Sequence, residues 1–232
     1  MKHREIIRLI SADRTRTNFL HAYEQDALAF LVKRVPGWIS SDMLTALGFA
    51  GNVLVFLGFV LATYFKIEYL LIGVIGFIVS WLGDSLDGRV AYFRKTPRKW
   101  YGFSLDILVD WLGIILIGAG FIVFTNGVWE FVGFGFVVFY GWQMLIATLR
   151  YKVSGIYKID SGLIGPTEVR ILLSLIFIAE VLYQGSMVYV SLVATILLLG
   201  FNLHETKLLL NQATIRDEEE RKEVKNLSSI RV

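Results

Sequence analysis

The chain alternates between long apolar segments and short polar ones. Six apolar segments are recognisable, at approximately residues 40–65, 67–92, 101–125, 128–150, 166–184 and 186–208. A helix needs about 20 mainly apolar residues to cross a hydrocarbon core about 30 Å thick. The pattern therefore predicts an all-α integral membrane protein with six transmembrane helices.

A shorter and more polar segment, residues 17–34, precedes the first span. Its apolar residues recur at helical spacing and form one face of a helix: Leu20, Tyr23, Ala27, Leu28 and Leu31. Such a segment is too polar to span a bilayer and is typical of an amphipathic helix that lies in the membrane interface. A soluble helix packed against other protein is the alternative interpretation.

The positions of the basic residues predict the orientation. Of the 23 lysines and arginines, only Lys66 falls on the side opposite to the two termini, the loop between spans two and three, and the loop between spans four and five. Positive residues favour the cytoplasmic side. We therefore expect a multi-pass protein, in a bacterial inner membrane, with both termini in the cytoplasm. We expect no nucleic-acid partner.

Composition narrows the chemistry further. The chain contains no cysteine, which excludes disulfides, thiolate metal sites and cysteine nucleophiles, and its three histidines are scattered along the sequence. Hydrophobic residues make up 55% of the chain and charged residues 19%, with a mean hydropathy of +0.60. Acidic residues are therefore the main candidates for chemistry within the spans.

Four aspartates lie where the second span ends and the third begins: Asp84, Asp87, Asp106 and Asp110. Asp84 lies about 25 Å along its helix from the outer side, and Asp106 about 8 Å into the next helix from the inner side. Each pair, three or four residues apart, shares one helix face. The four carboxylates are therefore predicted to converge near the cytoplasmic surface.

Converging carboxylates repel one another unless a cation joins them. An oxygen-only set of ligands favours Mg²⁺, Mn²⁺ or Ca²⁺ over zinc, and Mg²⁺ commonly bridges carboxylates to substrate phosphates. Solvated helix ends would account for one such aspartate but poorly for four. A transporter also fits intramembrane carboxylates, but here the ionisable residues crowd the cytoplasmic third, with Glu180 as the main exception.

The spacing of these aspartates resembles the signature of the class I CDP-alcohol phosphotransferases, also called CDP-alcohol phosphatidyltransferases. That signature is D-x-x-D-G-x-x-A-R-x₈₋₉-G-x-x-x-D-x-x-x-D. In this chain it comprises Asp84, Asp87, Gly88, Ala91, Gly102, Asp106 and Asp110. The segment SSDMLT at residues 40–45 is similar to the P-N-x-L-T element of the family and retains Thr45.

Two positions depart from the family pattern. Ser41 and Asp42 stand where the family has Pro and Asn, and Tyr92 stands where the family has the arginine of its signature. Arg89 lies three residues before Tyr92, on nearly the same helix face. We hypothesise that Arg89 supplies the missing charge.

The resemblance implies a reaction and roles for these residues. Two Mg²⁺ or Mn²⁺ ions would be held by Asp84, Asp87, Asp106 and Asp110. An alcohol would attack the phosphorus of a CDP-linked substrate and release CMP, with Asp110 as the general base. The resemblance also implies a set of residues that contact the CDP moiety: Thr45, Asp84, Gly88, Arg89, Ala91 and Gly102.

Basic residues around the loop between spans four and five are candidates for binding the acceptor. Arg150, Lys158 and Arg170 suit a phosphorylated alcohol such as inositol phosphate or glycerol phosphate. Alternatively, these charges hold the loop inside the cell, and Arg170 pairs with an aspartate. Glu168, within a GPTE string faintly similar to the choline/ethanolamine branch of the family, is a candidate for contact with an ammonium group.

The function expected from the sequence is phospholipid synthesis by transfer of a phosphatidyl group from CDP-diacylglycerol to a polar alcohol. A phosphotransferase of the choline/ethanolamine type, acting on diacylglycerol, remains open, as does a transporter. We expect an N-terminal segment at 1–36, a six-helix catalytic domain at 37–210 and a charged cytoplasmic tail at 211–232. The expected partners are the lipid bilayer, a CDP-linked substrate and a second copy of the chain in a homodimer.

Overall fold

Seven helices make up most of the computed structural model, which describes residues 21–154 and 166–230. They are α1 (His21–Val32), α2 (Ser41–Tyr64), α3 (Leu70–Phe93), α4 (Lys99–Phe124), α5 (Glu130–Ser154), α6 (Pro166–Leu182) and α7 (Ser186–Ile230). Single turns of 3₁₀ helix, Ile67–Tyr69 and Gly127–Trp129, precede α3 and α5. No strand occurs in the described ranges.

The helices α2–α7 follow the six predicted apolar segments. Within the described ranges, five helical segments are long and apolar enough to cross a membrane: Ser41–Tyr64, Ile67–Phe93, Lys99–Phe124, Gly127–Ser154 and Ser186–Lys222. These helices are typical of a multi-pass integral membrane protein. Helix α6 has 17 described residues, so a total of six spans stays a prediction.

Glycines bring α2 and α3 into close contact. A Cβ atom placed on Gly51 would lie 2.4 Å from the backbone nitrogen of Ser80, and one on Gly83 would lie 2.2 Å from the backbone nitrogen of Gly48. Both distances are too short for any side chain, because the clashing atoms belong to the opposite backbone. Small residues at a helix interface allow this approach, and it fixes the position of the segment of α3 that bears Asp84 and Asp87.

Helix α1 packs against the other helices through its apolar face. Leu28 and Val32 are almost fully buried and form a cluster with Leu44 of α2 and with Leu86 and Val90 of α3. This packing is compatible with both interpretations of the segment, the interfacial helix and the helix packed against protein. The position of α1 relative to the membrane interface stays a prediction.

Helix α7 continues without a break beyond residue 210, where the sequence predicts the start of a tail. Buried Asn202 donates a hydrogen bond from its Nδ2 to the carbonyl of Phe139 on α5, at 2.6 Å. Further along, Arg216 donates from its Nη1 to the carbonyls of Lys152 and Val153, at 2.8 and 2.7 Å. Carbonyls at a helix end lack partners within the helix, so Arg216 caps the end of α5.

Candidate active site

Three of the four predicted aspartates converge. One carboxylate oxygen from each of Asp84, Asp106 and Asp110 lies within 4.8 Å of the others, and all three side chains are half-buried. Asp84 comes from α3 and the other two from α4, in agreement with the predicted meeting of two neighbouring helices. Two oxygens bound to one Mg²⁺ or Ca²⁺ ion at about 2.0–2.6 Å are at most about 5 Å apart. The three oxygens are therefore close enough together for one divalent cation to be held among them.

Asp87 lies outside that group of three and is more deeply buried. Its Oδ2 accepts a hydrogen bond from the hydroxyl of Thr45, at 2.7 Å, and its Oδ1 accepts from the backbone N–H of Gly88. The hydroxyl of Ser41 donates to the backbone carbonyl of Asp87, at 2.8 Å. The start of α2 therefore supports the second aspartate of the signature directly, which explains why a threonine at position 45 belongs with this site.

Arg170 brings α6 to the aspartates. Its Nη1 lies 2.7 Å from Oδ2 of Asp84, and both side chains are largely buried. Tyr140 of α5 lies close enough to Asp110, Asp84 and Arg170 to interact with their charges. Four helices, α3 to α6, thus contribute polar side chains to one region.

Arg150 and Arg89 have acidic partners. Arg150 is paired with Glu205 of α7. Buried Arg89 lies 3.5 Å from Oε1 of Glu24 on α1 and also donates to the carbonyl of Ser85, at 2.5 Å. Pairing with a carboxylate lowers the cost of burying a guanidinium. These two arginines therefore have structural partners in addition to their predicted ligand contacts.

The remaining predicted residues surround the same end of the bundle. Glu168 is half-buried in the first turn of α6, and Ala91 is half-buried on α3. Gly102 is exposed, and a Cβ atom at this position would meet nothing within 4 Å, so the space beside it is open. Lys158 lies outside the described residues.

The short connection between α3 and α4 is fastened to the start of α2. Arg94 donates hydrogen bonds to the carbonyls of Ile39 and Pro36, at 2.5 and 2.8 Å. Arg98 is paired with Asp42, and both are partly exposed. Two of the basic residues in this connection therefore hold it against the segment that supports Asp87.

The match to a family of known proteins agrees with this geometry. The sequence model of the CDP-alcohol phosphatidyltransferase family matches residues 38–198. The chain belongs to this family. It is therefore a transferase, and the resemblance inferred from the signature is confirmed. A comparison with curated proteins found no match.

The family match covers every predicted site residue but not α1, which precedes residue 38. Two residues near the site were absent from the sequence-based prediction. Tyr140 gave little signal, because a tyrosine in an apolar helix is common. Glu24 did give a signal in the sequence, because it stands four residues from both Leu20 and Leu28, a spacing that predicts one shared apolar helix face.

Proposed function

We propose that the protein transfers a phosphatidyl group from CDP-diacylglycerol to a polar alcohol, with release of CMP and in a reaction that depends on Mg²⁺ or Mn²⁺. The observation that carries the proposal is the convergence of Asp84, Asp106 and Asp110 within 4.8 Å, in a chain that belongs to the CDP-alcohol phosphatidyltransferase family. A hard divalent ion and a diphosphate are the partners that such a carboxylate group suits best.

The aspartates would hold the metal and position the reactants. Asp84, Asp106 and Asp110 are the proposed ligands of one ion, and Asp87, held by Thr45, is the proposed ligand of a second. Divalent ions held by these aspartates would supply positive charge to neutralise the phosphate oxygens of the donor and of CMP. Phosphoryl transfer depends mainly on such neutralisation and on positioning of the reactants.

Asp110 is the proposed general base. The hydroxyl oxygen of the alcohol attacks the phosphorus atom that is attached to diacylglycerol, and the bond from that phosphorus to the oxygen of CMP breaks. The hydroxyl proton passes to the Asp110 carboxylate. A positioned base contributes about 10²–10⁴-fold to the rate of such a step.

The residues around the aspartates divide between donor and acceptor. Thr45, Gly88, Ala91 and Gly102 are proposed to contact the CDP moiety, and a contact by Arg89, which is paired with Glu24, stays a prediction. Arg170, next to Asp84, is the best-placed candidate for a phosphate on the acceptor. The pairing of Arg150 with Glu205 supports a smaller role for Arg150, and Lys158 and Glu168 remain proposed contacts near the start of α6.

The reaction is proposed to occur at the cytoplasmic face. The order of the apolar segments in the sequence predicts that all lysines and arginines except Lys66 lie on the same side of the membrane as the aspartates, and the positive-inside rule favours the cytoplasm for that side. We also propose a homodimer, in keeping with the apolar and glycine-containing helix faces.

Release of CMP tests the proposal directly. Purified protein in detergent micelles is given CDP-diacylglycerol with glycerol, inositol, serine or one of their phosphates, and CMP is measured with and without Mg²⁺ or Mn²⁺. We expect metal-dependent release with at least one acceptor. A second arm supplies CDP-choline or CDP-ethanolamine with diacylglycerol, which distinguishes the other branch of the family.

Asp217→Asn is a matched control, because Asp217 is exposed on the distal part of α7. The control should retain full CMP release, whereas Asp106→Asn should abolish it. An absence of CMP release in all arms, from protein that is folded and loaded with metal, would contradict the proposed reaction.

A further inference from the structure

Glu24 connects three helices at the back of the proposed active site. Its Oε1 lies 3.5 Å from Nη2 of Arg89 on α3, and its Oε2 accepts a hydrogen bond from the hydroxyl of Thr167 on α6, at 3.2 Å. Glu24 and Arg89 are both at least nine-tenths buried. Burying a charged carboxylate costs free energy unless it is paired and hydrogen-bonded. Arg89 and Thr167 therefore both help to stabilise the buried carboxylate of Glu24.

The contacts of α1 fall on the side of α3 that faces away from the aspartates. Successive residues of a helix are about 100° apart. Leu86, Arg89 and Val90 therefore lie about 200°, 140° and 240° around α3 from Asp84. Leu86 and Val90 pack against α1, and Arg89 pairs with it. Helix α1 thus packs against α3 on the side opposite to Asp84.

Through Thr167, Glu24 also contacts α6. Thr167 lies in the first turn of α6, three residues before Arg170, and residues at this spacing share a helix face. Arg170 in turn contacts Asp84 on α3, at 2.7 Å. Helices α3 and α6 are therefore joined twice, directly by Asp84 and Arg170, and indirectly by Arg89, Glu24 and Thr167.

We infer that Glu24 is a positioning residue that sets the spacing between α3 and α6, and with it the placement of the Asp84–Arg170 pair. Helix α1, which lies outside the family match, would then help to position residues of the active site. The kinetic consequence rests on the proposed function, whereas the structural linkage does not. Asp87 is positioned by its hydrogen bond from Thr45 on α2. Binding of the CDP-linked donor should therefore depend less on Glu24.

Thr167→Val tests the linkage with little disturbance, because valine has a similar shape and the ion pair between Glu24 and Arg89 is retained. We expect kcat to fall about five- to tenfold, as for loss of one ordinary hydrogen bond, while the KM for CDP-diacylglycerol changes less than about twofold. Thr167→Ser keeps the hydroxyl and should restore kcat. Equal rates for the valine and serine variants would overturn the inference.

Glu24→Gln tests the charge of the linkage. It leaves Arg89 buried without its carboxylate, so we expect a fall in kcat larger than that of Thr167→Val. Asp26→Asn is the matched control, because Asp26 lies on the exposed side of the same helix. The control should retain wild-type kcat, and a similar loss in both variants would contradict a specific role for Glu24.

A distance measurement tests the linkage without using activity. The chain has no cysteine, so spin labels can be attached at Thr96→Cys, just beyond α3, and at Leu172→Cys on the exposed side of α6. Pulsed EPR should show a shifted or broadened distance distribution in the Thr167→Val and Glu24→Gln backgrounds, but not with Thr167→Ser. Unchanged distributions in both backgrounds would overturn the positioning role, whereas a lack of CMP release would count only against the proposed reaction.

Discussion

The two ends of the helical bundle both bury acidic side chains, but they accommodate them differently. At one end, Glu180 accepts hydrogen bonds from the backbone N–H groups of Gly185 and Met187, each at 2.7 Å, and from the hydroxyl of Ser186, at 3.3 Å. These donors belong to the turn before α7 and to its first residues. Free N–H groups at a helix start favour a negative charge, so Glu180 caps α7.

At the other end, three carboxylates meet within 4.8 Å, and Arg170, paired with Asp84, contributes one positive charge. The surroundings differ as well. The end near Glu180 contains an apolar cleft lined by aromatic side chains such as Phe59, Phe121 and Phe177. A carboxylate that caps a helix has a structural role, whereas crowded carboxylates indicate a site for a cation. This comparison accounts for Glu180, the exception noted in the sequence.

The largest effect is expected at the aspartate end. Asp110→Asn removes the proposed base and one metal ligand, so kcat for CMP release should fall about 10²–10⁴-fold. Because the variant relieves repulsion between carboxylates, its melting temperature should not decrease. A variant that loses activity only in proportion to lost folded protein would show that Asp110, like Glu180, is structural.

Arg170→Gln should have the next largest effect. It removes a charge-assisted hydrogen bond to Asp84, worth about 2 kcal/mol, and we expect kcat/KM to fall about 30-fold. Arg216→Gln is a suitable control, because Arg216 caps α5 far from the aspartates in sequence and is partly exposed. Equal falls in kcat/KM for the two variants would show that Arg170 has no specific role in the active site.

Gly83→Ala tests how closely the site depends on the packing of α2 against α3. The added methyl group would lie 2.2 Å from the backbone of Gly48, so the helices must separate, at a cost of about 1–3 kcal/mol in stability. Gly200→Ala is the control, because nothing lies within 4 Å of a Cβ atom there. Thermal unfolding of the two variants measures the difference, and equal melting temperatures would contradict the tight packing.

The smallest effect on activity is expected at the opposite end. Glu180→Gln keeps an acceptor oxygen but loses the charge, so we expect a loss of about 1–2 kcal/mol in stability. The rate of CMP release per folded molecule should stay within about twofold of wild type. A large fall in kcat with unchanged stability would indicate that Glu180 takes part in the reaction.

The sequence predicted the positions of most of the helices and the convergence of three of the four aspartates. Long apolar segments have a minimum length set by the bilayer, and spacing along a helix determines which residues share a face. Both rules are local, so the boundaries of α2 and the meeting of Asp84 with Asp106 and Asp110 could be anticipated. The family signature supplied the chemistry, and the family match supports it.

Partners far apart in the sequence were harder to predict. Arg150 pairs with Glu205, 55 residues away, and Asp87 accepts a hydrogen bond from Thr45, 42 residues away. Such pairs depend on which helices are neighbours and on how each helix is rotated about its own axis. The spacing of apolar residues along the sequence specifies neither. Arg170 illustrates this point, since the sequence allowed either an acceptor phosphate or an aspartate as its partner, and the structure places Asp84 beside it.

Binding of Mn²⁺, monitored by loss of the EPR signal of the free ion, tests most directly whether the three converging aspartates form a cation site. The account predicts that wild-type protein and Glu180→Gln bind Mn²⁺ equally, and that Asp106→Asn binds at least about tenfold more weakly. Equal affinity of Asp106→Asn and wild-type protein for Mn²⁺ would contradict it.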